Sequence, residues 1–135
     1  MAACNGPCEN FNPNGKKVWF KIFEDGFHNG TDVWNGVEYP RDIGGSAGWD
    51  QYETANAGWS VKIPKNLKPG NYLIRHEIIM IELWPPQHYP ECAQLTVTGT
   101  GNKLPGKEYL VSFPGGYSND GKLSKILVSD PANHS

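Results

Sequence analysis

The sequence lacks three features that would each indicate a particular class of protein. Its longest apolar run is far too short to cross a bilayer, so membrane residence is excluded. It has no basic run longer than Lys16-Lys17, and a net charge of -2 with a pI near 6.0 argues against nucleic acid as a partner. It also does not begin with a positively charged segment followed by an apolar one, so no signal peptide is expected in this chain.

Helix signals are missing as well, because no segment reaches helical length with caps at both ends. What is present is 16 Gly and 11 Pro, which separate short apolar runs. The runs at 17–23, 59–63, 72–83, 92–97 and 108–113 favour strands by their alternation and by their β-branched and aromatic residues. Residues 1–135 are therefore predicted to be one all-β domain, a β-sandwich with a long loop at 26–58.

Four ordered sequence runs then point to a family. They are WFKIFEDG at 19–26, PGNYLIRHEII at 69–79, QHYPECAQL at 87–95 and VSFPGGY at 111–117. Together they resemble the fungal lytic polysaccharide monooxygenases of auxiliary activity family nine, formerly glycoside hydrolase family sixty-one. The resemblance implies an immunoglobulin- or fibronectin-III-like β-sandwich, and it predicts that part of the family's N-terminal strands is missing from this chain.

The resemblance also implies copper chemistry, which the family performs with a histidine brace made of an N-terminal histidine and a second loop histidine. Met1 stands where the first histidine would be, and no histidine occurs between Pro7 and Val18, where the second is expected. Both copper ligands are thus predicted to be absent, and no cofactor is expected.

The outer half of that copper site has counterparts in the sequence. By resemblance, Tyr89 matches the tyrosine axial to copper, and Gln87 matches the glutamine beside it. Glu82 takes the position of a neighbouring family histidine. The prediction is a chain that keeps the scaffold of the site without its catalytic residues.

A different metal site is conceivable at Glu82, His88 and Glu91, since two carboxylates and an imidazole can hold zinc. The spacing fits no known ligand pattern, which favours exposed polar residues at the end of a strand. His76 alternates with Ile74 and Ile78 and is therefore predicted to be a core histidine.

Three cysteines leave one without a partner in any single disulfide. The resemblance implies a bond between Cys4 and Cys92, with two reduced, buried cysteines as the alternative. Cys8 is left as a free thiol or as a competitor of Cys4 for Cys92.

Aromatic side chains provide the candidate substrate surface. By resemblance, Tyr117 matches a tyrosine near the family's flat substrate-facing surface, where aromatic rings stack on sugar rings. The same role is predicted for four loop aromatics, which are Trp34, Trp49, Tyr39 and Tyr52. The alternative is that these loop residues pack into a small core of their own.

These observations favour a catalytically silent relative of the cellulose-active monooxygenases that binds a β-glucan or a protein. One alternative is an active copper enzyme, if the natural chain supplies the missing histidines. Another is a secreted effector or immunomodulatory scaffold. Secretion is implied by the resemblance alone, and self-association is predicted through a sheet edge that the missing strands would leave exposed.

Overall fold

The computed structural model describes residues 1–26, 58–80 and 85–117, together with the backbone of two short strands at 33–34 and 37–38. The chain divides into two compact units, one made of Met1–Ile22 with Ile63–Ser135 and the other of Phe23–Lys62. No described residue lies in an α-helix, so the all-β prediction is confirmed for this part of the chain. Within the same residues, no helix is long and apolar enough to span a membrane.

The first unit is built on a three-stranded antiparallel sheet. Its strands, in spatial order, are β1 (Ala2–Ala3), β4 (Gly70–Met80) and β5 (Gln87–Val97). Strands β4 and β5 pair along their whole length, from Gly70 opposite Val97 to Met80 opposite Gln87. In the second unit, β2 (Val33–Trp34) pairs with β3 (Val37–Glu38). The strand predicted at 72–83 is confirmed over its described residues, and its partner begins at Gln87 rather than at Cys92.

Three other predicted strands are wrong. The segment at 17–23 contributes only single bridges from Trp19 to Ala2 and to Val111. The segment at 108–113 includes the end of a 3-10 helix, Lys107–Tyr109, and residues 59–63 form no strand. Alternation in a sequence is compatible with a strand, but a strand also needs a neighbouring strand with which it pairs in register. Each of these three segments pairs with a neighbour through one residue at most.

The core lies at the end of the sheet where β4 begins. Its buried residues are Met1, Phe20, Leu67 and Tyr72. Tyr72 is only 2% exposed, packs edge-on against Phe20 at 6.4 Å between ring centroids, and donates its hydroxyl to the Lys68 carbonyl at 2.5 Å. Burial raises the pKa of the Tyr72 hydroxyl, because the phenolate form would lose its hydration there.

The disulfide prediction is wrong. Cys4 is bonded to Cys8, with 5.2 Å between their Cα atoms, and Cys92 is a free, exposed thiol. A turn through Asn5, at φ 55°, brings Cys4 and Cys8 together. Cys4 instead lies beside Asn71, to whose carbonyl it donates its N–H, whereas Cys92 faces Arg75. Four residues of strand separate those two positions, roughly 13 Å along the sheet, which is too far for a disulfide.

Candidate functional site

The candidate site is the half of the β4–β5 hairpin that lies farther from the core, hereafter the distal half, made of residues 75–80 and 87–92. Side chains alternate between the two faces of a sheet, and residues directly opposite each other share a face. The register therefore places His76 and Ile78 with Glu91 and Tyr89 on one face, which we call the open face. Arg75, Glu77 and His88 lie on the other, which we call the covered face.

The open face presents a tyrosine to solvent. Tyr89 is 53% exposed, and its hydroxyl donates to Gln87 Oε1 at 2.6 Å. His76 lies opposite Glu91 in the ladder, and Ile78 lies opposite Tyr89. An open groove of about 420 Å³ lies beside Tyr89. It is lined by His76, Ile78, Tyr89 and Glu91 of the open face, together with His88 and Pro90 of β5. The arrangement combines an exposed aromatic ring with an amide, an imidazole and a carboxylate.

The covered face is organised around the Glu77 carboxylate, whose side chain is 11% exposed. Arg75 Nη2 donates to Glu77 Oε1 at 2.7 Å, and the Tyr117 hydroxyl donates to Glu77 Oε2. His88 Nδ1 lies 3.5 Å from Oε1 and forms no hydrogen bond with it. A carboxylate that accepts bonds from a guanidinium and a hydroxyl is well compensated for its loss of hydration.

Two aromatic rings from residues 113–117 cover this carboxylate. Tyr117 stacks on His88 with 4.2 Å between ring centroids and an interplanar angle of 20°. Phe113 packs against Tyr117 at 5.3 Å and lies under the Arg75 guanidinium at 4.4 Å, a cation–π contact. The covered face is therefore a packed polar and aromatic cluster, with the character of a structural support.

The sequence matches a known protein family over nearly its whole length. The model of Auxiliary Activity family 9, formerly GH61, matches residues 1–133. The chain belongs to this family. The predicted resemblance is thereby confirmed, and the family accounts for the four sequence runs on which it was based.

Three curated AA9 relatives show how much of the chain is shared. AA9 family lytic polysaccharide monooxygenase B of Gloeophyllum trabeum is 43% identical over 113 residues, 80% of this chain and 39% of that protein. AA9 family lytic polysaccharide monooxygenase D of Thermothelomyces thermophilus is 44% identical over 119 residues, 85% of this chain and 44% of that protein. AA9 family lytic polysaccharide monooxygenase-like protein CEL1 of Agaricus bisporus is 46% identical over 120 residues, 88% of this chain and 34% of that protein.

The chain thus spans less than half of the length of these AA9 relatives. No solved structure matches it.

The structure brings some of the predicted site residues together and separates others. Gln87 and Tyr89 are hydrogen-bonded on the open face, and their assignment to a copper site stays a prediction. Tyr117 lies across the sheet from them, on the covered face, with its hydroxyl on Glu77. The backbone of Trp34 lies in β2, and its side chain is not described. Four predicted site residues lie outside the described residues, namely Glu82, Trp49, Tyr39 and Tyr52.

The core-histidine prediction is wrong, because His76 is exposed at the point where the sheet runs past the core. His88 and Glu91 lie on opposite faces, which argues against their sharing the alternative zinc site. Sequence reasoning missed Arg75 and Glu77. Their spacing of two residues within a strand was the available signal, since it puts opposite charges on one face.

The described residues do not fit a copper brace around Tyr89. None of their His, Cys, Asp and Glu side chains form a group of three that would hold a metal. His76 and His88 lie on opposite faces of the sheet. The amino group of Met1, next to β1, donates to the Phe20 carbonyl at 2.5 Å, whereas Tyr89 lies on β5.

Proposed function

We propose that this chain is a catalytically silent member of AA9 that binds a cellulose-type β-glucan on an immunoglobulin-like β-sandwich. The observation that carries the proposal is the exposed Tyr89–Gln87 pair on the open face, where no three His, Cys, Asp or Glu side chains of the described residues form a group that would hold a metal. Family membership supports a polysaccharide as the ligand, since the relatives are named as polysaccharide monooxygenases. Because the chain spans less than half of those relatives, binding alone is proposed, and not their activity.

A sedimentation assay with the purified chain tests this function. We expect the chain to pellet with microcrystalline cellulose and to remain in solution with an unrelated insoluble polymer such as polystyrene beads. Pelleting should be the same with a chelator and with added copper(II). No oxidised oligosaccharides should appear with ascorbate and oxygen. A chain that stays in the supernatant, or one that releases oxidised sugars, would contradict the proposal.

A second candidate is a copper-dependent polysaccharide monooxygenase, formed when a longer natural chain supplies two further histidines. The Tyr89–Gln87 hydrogen bond of 2.6 Å favours it, because the family's axial tyrosine and its neighbouring glutamine would be held together in this way. Electron paramagnetic resonance of copper added to the longer natural chain separates the two candidates. A spectrum with several nitrogen ligands supports the second, and unbound aqueous copper supports the first.

We further propose that the chain is secreted, as the resemblance implies, and that it associates through the free side of β5. Strand β5 lies at the edge of the described sheet, and most of its residues are exposed. Pro90 limits such pairing, because proline supplies no N–H to a new ladder. Association through this edge would therefore be centred on the stretch from Cys92 to Thr96. Analytical ultracentrifugation should show dimers at high concentration, and a monomer throughout would refute the idea.

A further inference from the structure

The aromatic ring of Tyr89 offers a binding surface that does not depend on the hydroxyl. In a copper site, the axial tyrosine acts through its oxygen, whereas stacking on a sugar uses the ring, and Tyr89 is 53% exposed. We propose that the Tyr89 ring is a stacking platform for one pyranose unit of a β-glucan, with Gln87, His76 and Glu91 as its polar surround. This inference rests on the proposed binding function and names the site that performs it.

The hydrogen bond to Gln87 gives the ring a fixed orientation. A flexible exposed side chain loses rotational freedom when a ligand immobilises it, and this loss weakens binding. The hydroxyl of Tyr89 is already held at 2.6 Å from Gln87 Oε1, and both residues belong to a paired strand. The ring is therefore exposed to solvent in a fixed orientation, and less conformational entropy is lost when a ligand binds to it.

The neighbours of Tyr89 match the two kinds of surface that a pyranose offers. The C–H face of the sugar suits an apolar aromatic ring, and Ile78 extends the apolar area directly opposite Tyr89. The sugar hydroxyls need donors and acceptors, which the His76 imidazole, the Glu91 carboxylate and the Gln87 amide supply. The groove of about 420 Å³ is of the size of ordinary small-molecule sites. It is also open, as a site for a long polymer must be.

Two other tyrosines serve as a contrast. Tyr117 stacks on His88 and donates its hydroxyl to Glu77, so it belongs to the packed cluster on the covered face. Tyr109 is 45% exposed, but it lies in the 3-10 helix Lys107–Tyr109 and does not line the groove of the open face. Tyr109 is therefore the matched control for an exposed tyrosine outside the site.

The test is a titration of the 135-residue chain with a soluble β-1,4-linked glucose hexasaccharide. Binding is measured by calorimetry and by changes in amide chemical shifts. Tyr89→Ala should weaken binding by about tenfold or more, equivalent to the loss of a good aromatic contact. Tyr89→Phe keeps the ring and loses the oxygen, so its affinity should fall by no more than about threefold. Tyr109→Ala should bind as the parent chain does.

The outcomes distinguish a failure of the stacking site from a failure of the binding function. If the parent chain pellets with cellulose and Tyr89→Ala binds the hexasaccharide equally well, the stacking site is wrong and the binding function stands. If Tyr89→Phe loses as much affinity as Tyr89→Ala, the oxygen carries the effect, and the stacking inference is overturned. A parent chain that binds neither cellulose nor the hexasaccharide overturns both proposals. Unchanged thermal unfolding of Tyr89→Ala shows that its loss of affinity is not a loss of fold.

Discussion

Tyr72 and Tyr89 lie on the same face of the same hairpin, yet they have opposite surroundings. Tyr72 is 2% exposed in the core, and Tyr89 is 53% exposed on the open face of the distal half. Each donates its hydroxyl over a similar distance, 2.5 Å to the Lys68 carbonyl and 2.6 Å to Gln87 Oε1. What differs is the layer above the sheet: Phe20 and Leu67 cover Tyr72, while the core ends before His76. One residue type therefore acts as a core element at one end and as a recognition element at the other.

The largest expected effect is the contrast between Tyr72→Ala and Tyr89→Ala. Removing the buried ring opens a cavity in the core and should lower the free energy of unfolding by about 4 kcal/mol. Removing the exposed ring should change it by less than about 0.5 kcal/mol, because few contacts are lost. Urea unfolding measures both. Equal losses at the two positions would mean that the distal half is part of the core.

The core end should also respond to pH through the Met1 amine. Burial lowers the pKa of this amine from 8.0 to about 5, so between those values the unfolded chain binds more protons than the folded chain. The free energy of unfolding should therefore rise with pH from 5 to 8, by up to about 4 kcal/mol at roughly 1.4 kcal/mol for each pH unit. Acetylation of the amine removes the titrating group. An acetylated chain with the same pH profile would show that other groups cause it.

The covered face of the distal half should behave as a structural support. Glu77→Ala leaves Arg75 and Tyr117 without their acceptor and should lower the free energy of unfolding by about 2 kcal/mol. Glu77→Gln keeps the shape and an acceptor oxygen, and about half of that loss is expected. Both variants should bind cellulose normally, since the cluster lies across the sheet from Tyr89. A binding defect in either variant without unfolding would transfer the recognition role to the covered face.

The smallest effect is expected from Tyr117→Phe. The ring keeps its stacking on His88 and its contact with Phe113, and only the bond to Glu77 is lost. The free energy of unfolding should fall by about 1 kcal/mol. A loss of cellulose binding in this variant would instead favour the predicted substrate-surface role of Tyr117. Tyr109→Phe provides the control for removing an exposed hydroxyl.

Sequence reasoning predicted the site unevenly, for physical reasons. The strand at β4 could be predicted, because it follows a Pro-Gly turn and is rich in isoleucine. Family resemblance predicted Gln87 and Tyr89 as neighbours in one site, whereas their position within β5 was not predicted, because the strand was expected to begin at Cys92. The cluster on the covered face was missed, because Glu77 and Tyr117 are 40 residues apart and no local pattern connects them. The Cys4–Cys92 disulfide failed for the converse reason, since family resemblance supplied a pairing that the register in this chain separates.

The sequence by itself determined the family, the all-β character of the described residues and the strand at β4. These depend on order, composition and a period of two residues, which are properties of the chain alone. Only the tertiary structure decided which end of the hairpin is buried, which face residues 113–117 cover and which cysteine Cys4 bonds. Those outcomes depend on where the core ends along the sheet. For that reason identical side chains, such as Tyr72 and Tyr89, fill a core at one end and meet solvent at the other.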